Sequence, residues 1–372
     1  MHVERDMAKV TLPFVIGIVI SACSCIARCN AASASALSLS LCFLLSCTLI
    51  ADRSVFRKDK VRWILLISIM LFCGIFIGSS DILLSISRSE THGPLNRIAL
   101  DFAERLKASF MSIPFDKPET SGIINALITG EKSGITTEVK EAFRASGASH
   151  ILALSGLHLG MIYIIIRRLL TPAGNTPSAK ILKSAITISS CCFYTLATGA
   201  GPSIVRALLF IIIREIVVLT HRRSSLASTM MTAMIIQLIM NPSSIKEAGF
   251  QLSYAAVCGI TFIYPKLRAF WPGTGHEDDL MTRILRWIWN SAALSISCQI
   301  TTGPLAYAYF DSFPLHFLLT NLVALPLTGL IIPAALLTMM TTELGCCPGI
   351  LIRATEALVT ALSAALNIIS TM

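Results

Sequence analysis

Long uncharged apolar runs, separated by short polar connections, dominate the chain. A helix rising 1.5 Å per residue needs about 17 to 25 apolar residues to cross the hydrocarbon core of a bilayer. Runs near that length lie at 10–27, 36–50, 63–83, 151–166, 184–200, 203–220, 225–240, 250–264, 287–307, 315–338 and 349–369. They predict an all-α, polytopic helical membrane protein of about eleven transmembrane helices. Residues 88–147, between the third and fourth runs, are polar. Within them Leu95, Ile98, Ala99, Phe102, Leu106 and Phe110 recur at steps of three and four, opposite Arg97, Asp101, Glu104, Arg105 and Lys107, which predicts an amphipathic helix. Pro118 and Glu119 open a second helix that runs through Leu127 and closes at Gly130, and 136–145 reads as a third. Such helices suit a membrane surface, a cap over a cavity, or packing on the helical domain. The chain therefore divides into N-terminal membrane helices (1–87, about three), an outer-side amphipathic segment (88–147) and a second membrane domain (148–372, about eight helices).

Composition agrees: 54% of residues are hydrophobic and 14% charged, too few charges to cover a soluble surface. The net charge of +9 has several meanings, and its placement decides among them. Arg5, Lys9, Arg53, Arg57, Lys58, Lys60, Arg62, Arg167, Arg168, Lys180, Lys183, Arg222, Arg223, Lys266, Arg268, Arg283 and Arg286 fall at the start or in alternate connections. Cytoplasmic loops retain Lys and Arg, so this side is cytoplasmic and the N-terminus is inside. The segment before Ser149 holds equal numbers of basic and acidic residues, so the excess sets topology rather than a nucleic-acid surface. The first apolar run, with Arg5 and Lys9 before it, also has the form of a signal peptide, but reads better as a first membrane helix. Most of the 12 cysteines fall inside apolar runs, with no Cys-x-x-Cys pair to suggest a metal or redox site.

One stretch concentrates polar groups where a span should begin: Ser146-Gly147-Ala148-Ser149-His150-Ile151-Leu152-Ala153-Leu154-Ser155-Gly156-Leu157-His158-Leu159-Gly160. On one continuous helix His150 and His158 would sit about 80° apart and Ser155 about 60° from His158, giving a single broad polar face. Gly156 and Gly160 form a Gly-x-x-x-Gly step that lets another backbone approach. Two uses compete with polar helix packing. A membrane-embedded hydrolase or transferase would use Ser155 as nucleophile and His158 as base, although no orienting partner or oxyanion site is visible. A secondary transporter of a small anion is the other.

The run from His150 to Gly160, preceded by 126–130 and 143–147, resembles the signature of the ComEC competence-protein family of DNA-internalisation channels. Further segments resemble that family in order: Gly201 to Ala207 with Pro202 and Arg206; Asn241-Pro242 followed by Gly249-Phe250-Gln251-Leu252-Ser253-Tyr254; Gln299 to Pro304; and Asn321 to Pro326. Together they cover about 120–330. The resemblance implies a bacterial inner-membrane, multi-pass channel for uptake of single-stranded DNA during natural transformation. It implies partners besides membrane lipid: an outer DNA receptor, a nuclease and a cytoplasmic motor. Its channel or motif residues here are His150, Ser155, Gly156, His158, Gly160, Arg206, Phe250, Gln251, Ser253, Gln299, Asn321 and Pro326.

Departures from the family pattern matter equally. Residues 88–147 leave room for short helices and not for an oligonucleotide-binding-type β domain, and no His-x-His-x-Asp-His cluster of a metallo-β-lactamase-like domain occurs. The chain reads as a shortened member or as the channel part of one, and the family's nuclease activity does not carry over. Neither catalytic residues, a metal nor a cofactor is expected. Gly130-Glu131-Lys132-Ser133 lacks the first glycine of a phosphate-binding loop, so ATP hydrolysis by that route is excluded. At membrane depth Arg206 is the leading candidate to line a DNA path, with structural pairing as its alternative, while Arg214 and Glu215 suit pairing near the inner surface. Gln251, Ser253, Gln299 and Asn321 add uncharged hydrogen-bonding groups on further spans. Pro326 and Pro333 predict a kinked or re-entrant helix.

Overall fold

The computed structural model describes residues 2–23, 31–51, 59–84, 94–152, 155–174, 176–221, 224–271, 280–311, 316–345 and 349–371. Among them every regular element is helical and none is a strand, as an all-α chain requires. Among the described residues three helices are long and apolar enough to cross a membrane: Lys60–Ile82, Phe317–Glu343 and Gly349–Ser370. Ser33–Cys47 and Leu226–Met240 are apolar but shorter. Pro202–Leu219 is apolar but carries three charges, Arg206, Arg214 and Glu215.

The chain forms two compact units, 1–91 with 221–251 and 92–220 with 252–372. This grouping differs from the division at 87 and 147 expected from polarity. The polar segment 92–147 belongs to the same unit as the C-terminal helices, and Leu226–Met240 belongs with the N-terminal ones.

In the first unit, α1 (His2–Cys23), α2 (Ala31–Ala51) and α3 (Asp59–Leu84) pack together. A Cβ on Gly17 would collide with the Leu71 carbonyl, and one on Gly74 with the Phe14 carbonyl. Backbones this close require glycine on both helices, and Gly78 continues the step by facing Ser21. The hydroxyl of Ser243 hydrogen-bonds Asp81 near the end of α3.

The second unit opens with the three helices that the polar segment predicts: α4 (Pro94–Ser112), α5 (Pro118–Thr129) and α6 (Thr137–Ala145). Local chemistry sets their ends. Pro118 occupies the first turn of α5, and Gly130, at φ 79°, closes it in the left-handed conformation that favours glycine. Thr136 caps α6 by accepting from the Val139 N–H at 3.4 Å. On α4, Ala99 and Phe110 are buried, but Ile98 and Phe102 are largely exposed, so the apolar face is only half used by the protein. Phe102 stacks edge-on to Phe193 at 5.0 Å.

The fate of α5 was not legible from polarity. Thr120 and every residue from Gly122 to Ile128 are buried, and Ile123, Ile124, Leu127 and Ile128 share one core with Ala324, Ile331, Ile332, Ala335, Ile352, Val359, Leu362 and Leu366. Those partners lie on α15 (Phe317–Glu343) and α16 (Gly349–Ser370), two of the three helices long enough to span. Glu356 of α16 reaches the start of α5, accepting from the backbone N–H of Lys117 at 2.7 Å and of Asp116 at 3.4 Å. A carboxylate at a helix N-terminus meets the free N–H groups and the positive end of the dipole.

Between these lie α7 (Ser149–Leu152), α8 (Gly156–Leu169), α9 (Pro177–Ala197) and α10 (Pro202–Leu219), then α11 (Leu226–Met240) of the first unit, and then α12 (Ala248–Cys258), α13 (Tyr264–Ala269) and α14 (Leu280–Phe310). A wide π-type turn, Gly259–Ile263, joins α12 to α13 just before Pro265, whose missing N–H cannot continue the regular ladder. Gly259 there lies against the Ser297 carbonyl of α14, where a Cβ would not fit. The run at 151–166 is not one continuous helix, because Ser155 separates α7 from α8. At 315–338, where a kinked or a re-entrant helix is expected, α15 runs through both Pro326 and Pro333 without the break a re-entrant segment needs.

Candidate functional site

The break before α8 has a local cause. Ser155 sits at φ −125°, ψ 168°, an extended conformation in which its hydroxyl accepts from the Leu157 N–H at 3.3 Å. Serine favours this capping role over a place inside a helix. His158 completes a capping box: its Nδ1 accepts from the Ser155 backbone N–H at 3.2 Å, and the Ser155 hydroxyl lies 3.0 Å from the same nitrogen. The acceptor role of Nδ1 places the ring proton on Nε2. Nε2 is buried and without a protein partner.

The broad polar face expected for His150, Ser155 and His158 does not form, since the three do not share one helix. His150 lies on α7 with Nδ1 3.0 Å from the Gly147 carbonyl, and its ring also faces Asn321. Gly156 packs against α10, where a Cβ would stand 3.2 Å from the Ala207 Cβ. A Cβ on Gly160 would meet nothing within 4 Å, so only the first glycine of the Gly-x-x-x-Gly step marks a close approach.

Arg206 is 4% exposed on α10. Its guanidinium donates to the Ser203 hydroxyl at 3.1 Å and lies over the Tyr254 ring, 5.2 Å from the centroid. A second guanidinium nitrogen, Nη1, is buried without a partner, and among the described residues no carboxylate pairs with it. Glu215, two turns further along the same helix, is used very differently. Fully buried, it accepts from Ser184 at 2.6 Å, Tyr163 at 2.9 Å and Arg167 at 3.4 Å, tying α8, α9 and α10 together. Arg214 is exposed and lies over the Tyr163 ring at 5.4 Å. The buried Lys183 donates to the carbonyls of Gly174 at 2.5 Å and Thr171 at 3.3 Å.

The other expected residues are scattered. Phe250 is buried and Gln251 donates to the Ile245 carbonyl at 2.8 Å, both within the first unit. Ser253 is half-buried in the second. Gln299 on α14 buries an unpartnered Nε2, and Asn321 on α15 donates to Ser295 of α14 at 3.4 Å. Pro326 is exposed. In the loop after α5, the Ser133 N–H holds the Glu131 carboxyl below the usual carboxylate range, helped by Lys107 at 3.8 Å. Among the described residues no three of His, Cys, Asp or Glu gather as a metal site. Asn125 on α5 and Thr328 on α15 escaped the sequence reading. Both bury polar atoms that no group among the described residues satisfies, a property invisible without the fold.

These features define an all-helical membrane protein whose interior keeps several polar groups without protein partners. A model of the competence-protein family matches residues 127–372, and the chain belongs to that family. It is 26% identical over 224 residues to ComE operon protein 3 of Bacillus subtilis, covering 59% of this chain and 26% of that protein. Competence protein ComA of Neisseria gonorrhoeae is 26% identical over 228 residues, covering 58% of this chain and 30% of ComA. The protein YcaI of Escherichia coli is 24% identical over 228 residues, 60% of this chain and 29% of YcaI. The chain thus spans less than a third of each of these relatives. No solved structure matches it.

Proposed function

We propose that the protein is a bacterial inner-membrane channel for single-stranded DNA, crossing about eleven times with its N-terminus in the cytoplasm. Membership of the competence family supports a role in DNA uptake. The observation that carries the channel reading is Arg206: a buried guanidinium with one nitrogen unpaired and, among the described residues, no carboxylate paired with it. An ionisable group at that cost usually faces a partner or a cavity, and a strand carrying one phosphate per nucleotide supplies the partner. Tyr254 beneath the guanidinium offers the flat surface on which bases or Arg stack. An outer receptor, a nuclease and a cytoplasmic motor are the partners this role requires.

Deleting the gene is expected to abolish entry of labelled DNA into the cytoplasm while leaving surface binding intact. Undiminished transformation overturns the proposal. Arg206→Glu should lower uptake at unchanged membrane abundance, and a parallel loss of both assigns the residue to folding.

The contact between Ser155 and His158 is the one observation that favours a hydrolase. Capping accounts for it, and the far ring nitrogen has no carboxylate to orient it. The channel role is proposed without catalysis.

A further inference from the structure

The buried threonines Thr187, Thr195, Thr338 and Thr355 satisfy their hydroxyls on the carbonyl one turn back at 2.7 to 2.9 Å, and Thr320 bonds the Ser146 carbonyl at 2.7 Å. Thr328 does neither: it is fully buried on α15 and its Oγ1 has no partner. Asn125 is 2% exposed on α5 and leaves both amide atoms unpaired. His158 on α8 is 1% exposed and leaves Nε2–H unpaired, its other nitrogen being held by Ser155. All three residues belong to the second unit, and α15 packs against both α5 and α8.

A buried polar group without a partner is destabilising, so three of them on adjoining elements need water or a ligand. Their chemistry selects the ligand. An amide with donor and acceptor both free, an imidazole N–H donor and a hydroxyl carry no net charge among them. Such groups match the hydrogen-bonding edges of nucleobases, as an Asn amide does in pairing with adenine, rather than phosphate.

We propose that Asn125, His158 and Thr328 line a hydrated path through the second unit, and that the bases of a passing strand hydrogen-bond to them in place of water. The base contact rests on the DNA reading above; the hydration does not. In this view α5, which polarity assigns to the outer side, forms a wall of the conduit, while Arg206 serves the phosphates.

The test replaces each group by an apolar one in the full chain. Thr328→Val and Asn125→Leu are expected to leave the melting temperature unchanged or raised, because an unsatisfied group is removed, yet to lower DNA uptake about tenfold. Thr338→Val on the same helix removes a hydroxyl bonded to Ala334 and facing Thr355. It should lower the melting temperature and leave uptake per folded molecule unchanged. If Thr328→Val and Asn125→Leu behave like Thr338→Val, the proposal is overturned.

Hydration is read separately, by attack of a small charged thiosulfonate on Thr328→Cys and on Ala335→Cys, the latter in the dry core, with the modified site located by mass spectrometry. Modification at 328 and not at 335 supports the path. Equal protection of both overturns it and leaves the DNA reading standing. Modification at 328 in a protein whose wild type takes up no DNA keeps the path and removes the DNA reading.

Discussion

The backbone N–H of Ser155 donates to Nδ1 of His158 at 3.2 Å, and this bond determines how both residues are used. It caps α8, interrupts what the apolar pattern presents as one span, and turns Nε2–H of His158 toward the interior. A serine and a histidine three apart therefore serve helix architecture, with one donor left over.

Ser155→Ala keeps the backbone bond to His158 and loses the side-chain cap, a change worth about 1 kcal/mol. The expected result is a modest drop in thermal stability in detergent, uptake per folded molecule within about twofold of wild type, and no labelling of the wild type by serine-reactive probes. Abolished activity at unchanged stability would overturn the capping assignment.

Arg206→Lys retains the charge but loses the planar surface over Tyr254 and the fork toward Ser203. Uptake should fall between wild type and Arg206→Met. Equal uptake by the Lys and wild-type proteins would show that charge alone suffices.

Glu215→Ala removes the acceptor shared by Tyr163, Ser184 and Arg167. Each net hydrogen bond contributes about 0.5 to 1.5 kcal/mol, more when an ion takes part. The variant should melt well below wild type, and Glu215→Gln, which keeps an acceptor, should lie between them. A melting temperature unchanged by the Ala variant contradicts the assignment.

Gly74→Leu places a side chain where the Phe14 carbonyl stands. Separation of α1 from α3 should reduce the amount of folded protein in the membrane, measured by blotting after carbonate extraction. Gly160→Ala, at a glycine with open space, should leave abundance unchanged.

Glu356→Ala leaves the N–H groups of Asp116 and Lys117 without an acceptor at the start of α5. Loss of a helix-end carboxylate costs about 1 to 2 kcal/mol in partly buried geometry. Faster hydrogen exchange confined to 116–124 is the expected signature, and exchange indistinguishable from wild type would count against it.

Much of the local structure was readable. Steps of three and four placed α4; Pro118, Gly130 and Thr136 marked the ends of α5 and α6, because proline, glycine and threonine act through the backbone of their own turn. Gly74-x-x-x-Gly78 was equally present in the sequence and was passed over; in an apolar run it is the mark of a close helix crossing, and α1 takes it. The polar run at 88–147 misled in one respect. Low mean hydropathy reports the average of α4, α5 and α6 and conceals α5, whose middle is apolar apart from Asn125 and therefore fits inside a bundle.

By itself the sequence determined the all-helical class, the membrane setting and, through five motifs in order, the competence family. Periodicity, apolar length and motif spacing are properties of neighbouring residues. Only the tertiary structure decided which polar groups are satisfied. Arg206 and Glu215 look alike as charges in one apolar helix; Glu215 accepts from three residues on two neighbouring helices, and Arg206 retains a free nitrogen. Thr328 and Thr338 are indistinguishable on the helical pattern of α15, yet one is bonded and the other is not. Hydrogen-bond satisfaction depends on side-chain rotamers and on the elements packed alongside, and neither is encoded at any fixed spacing along the chain.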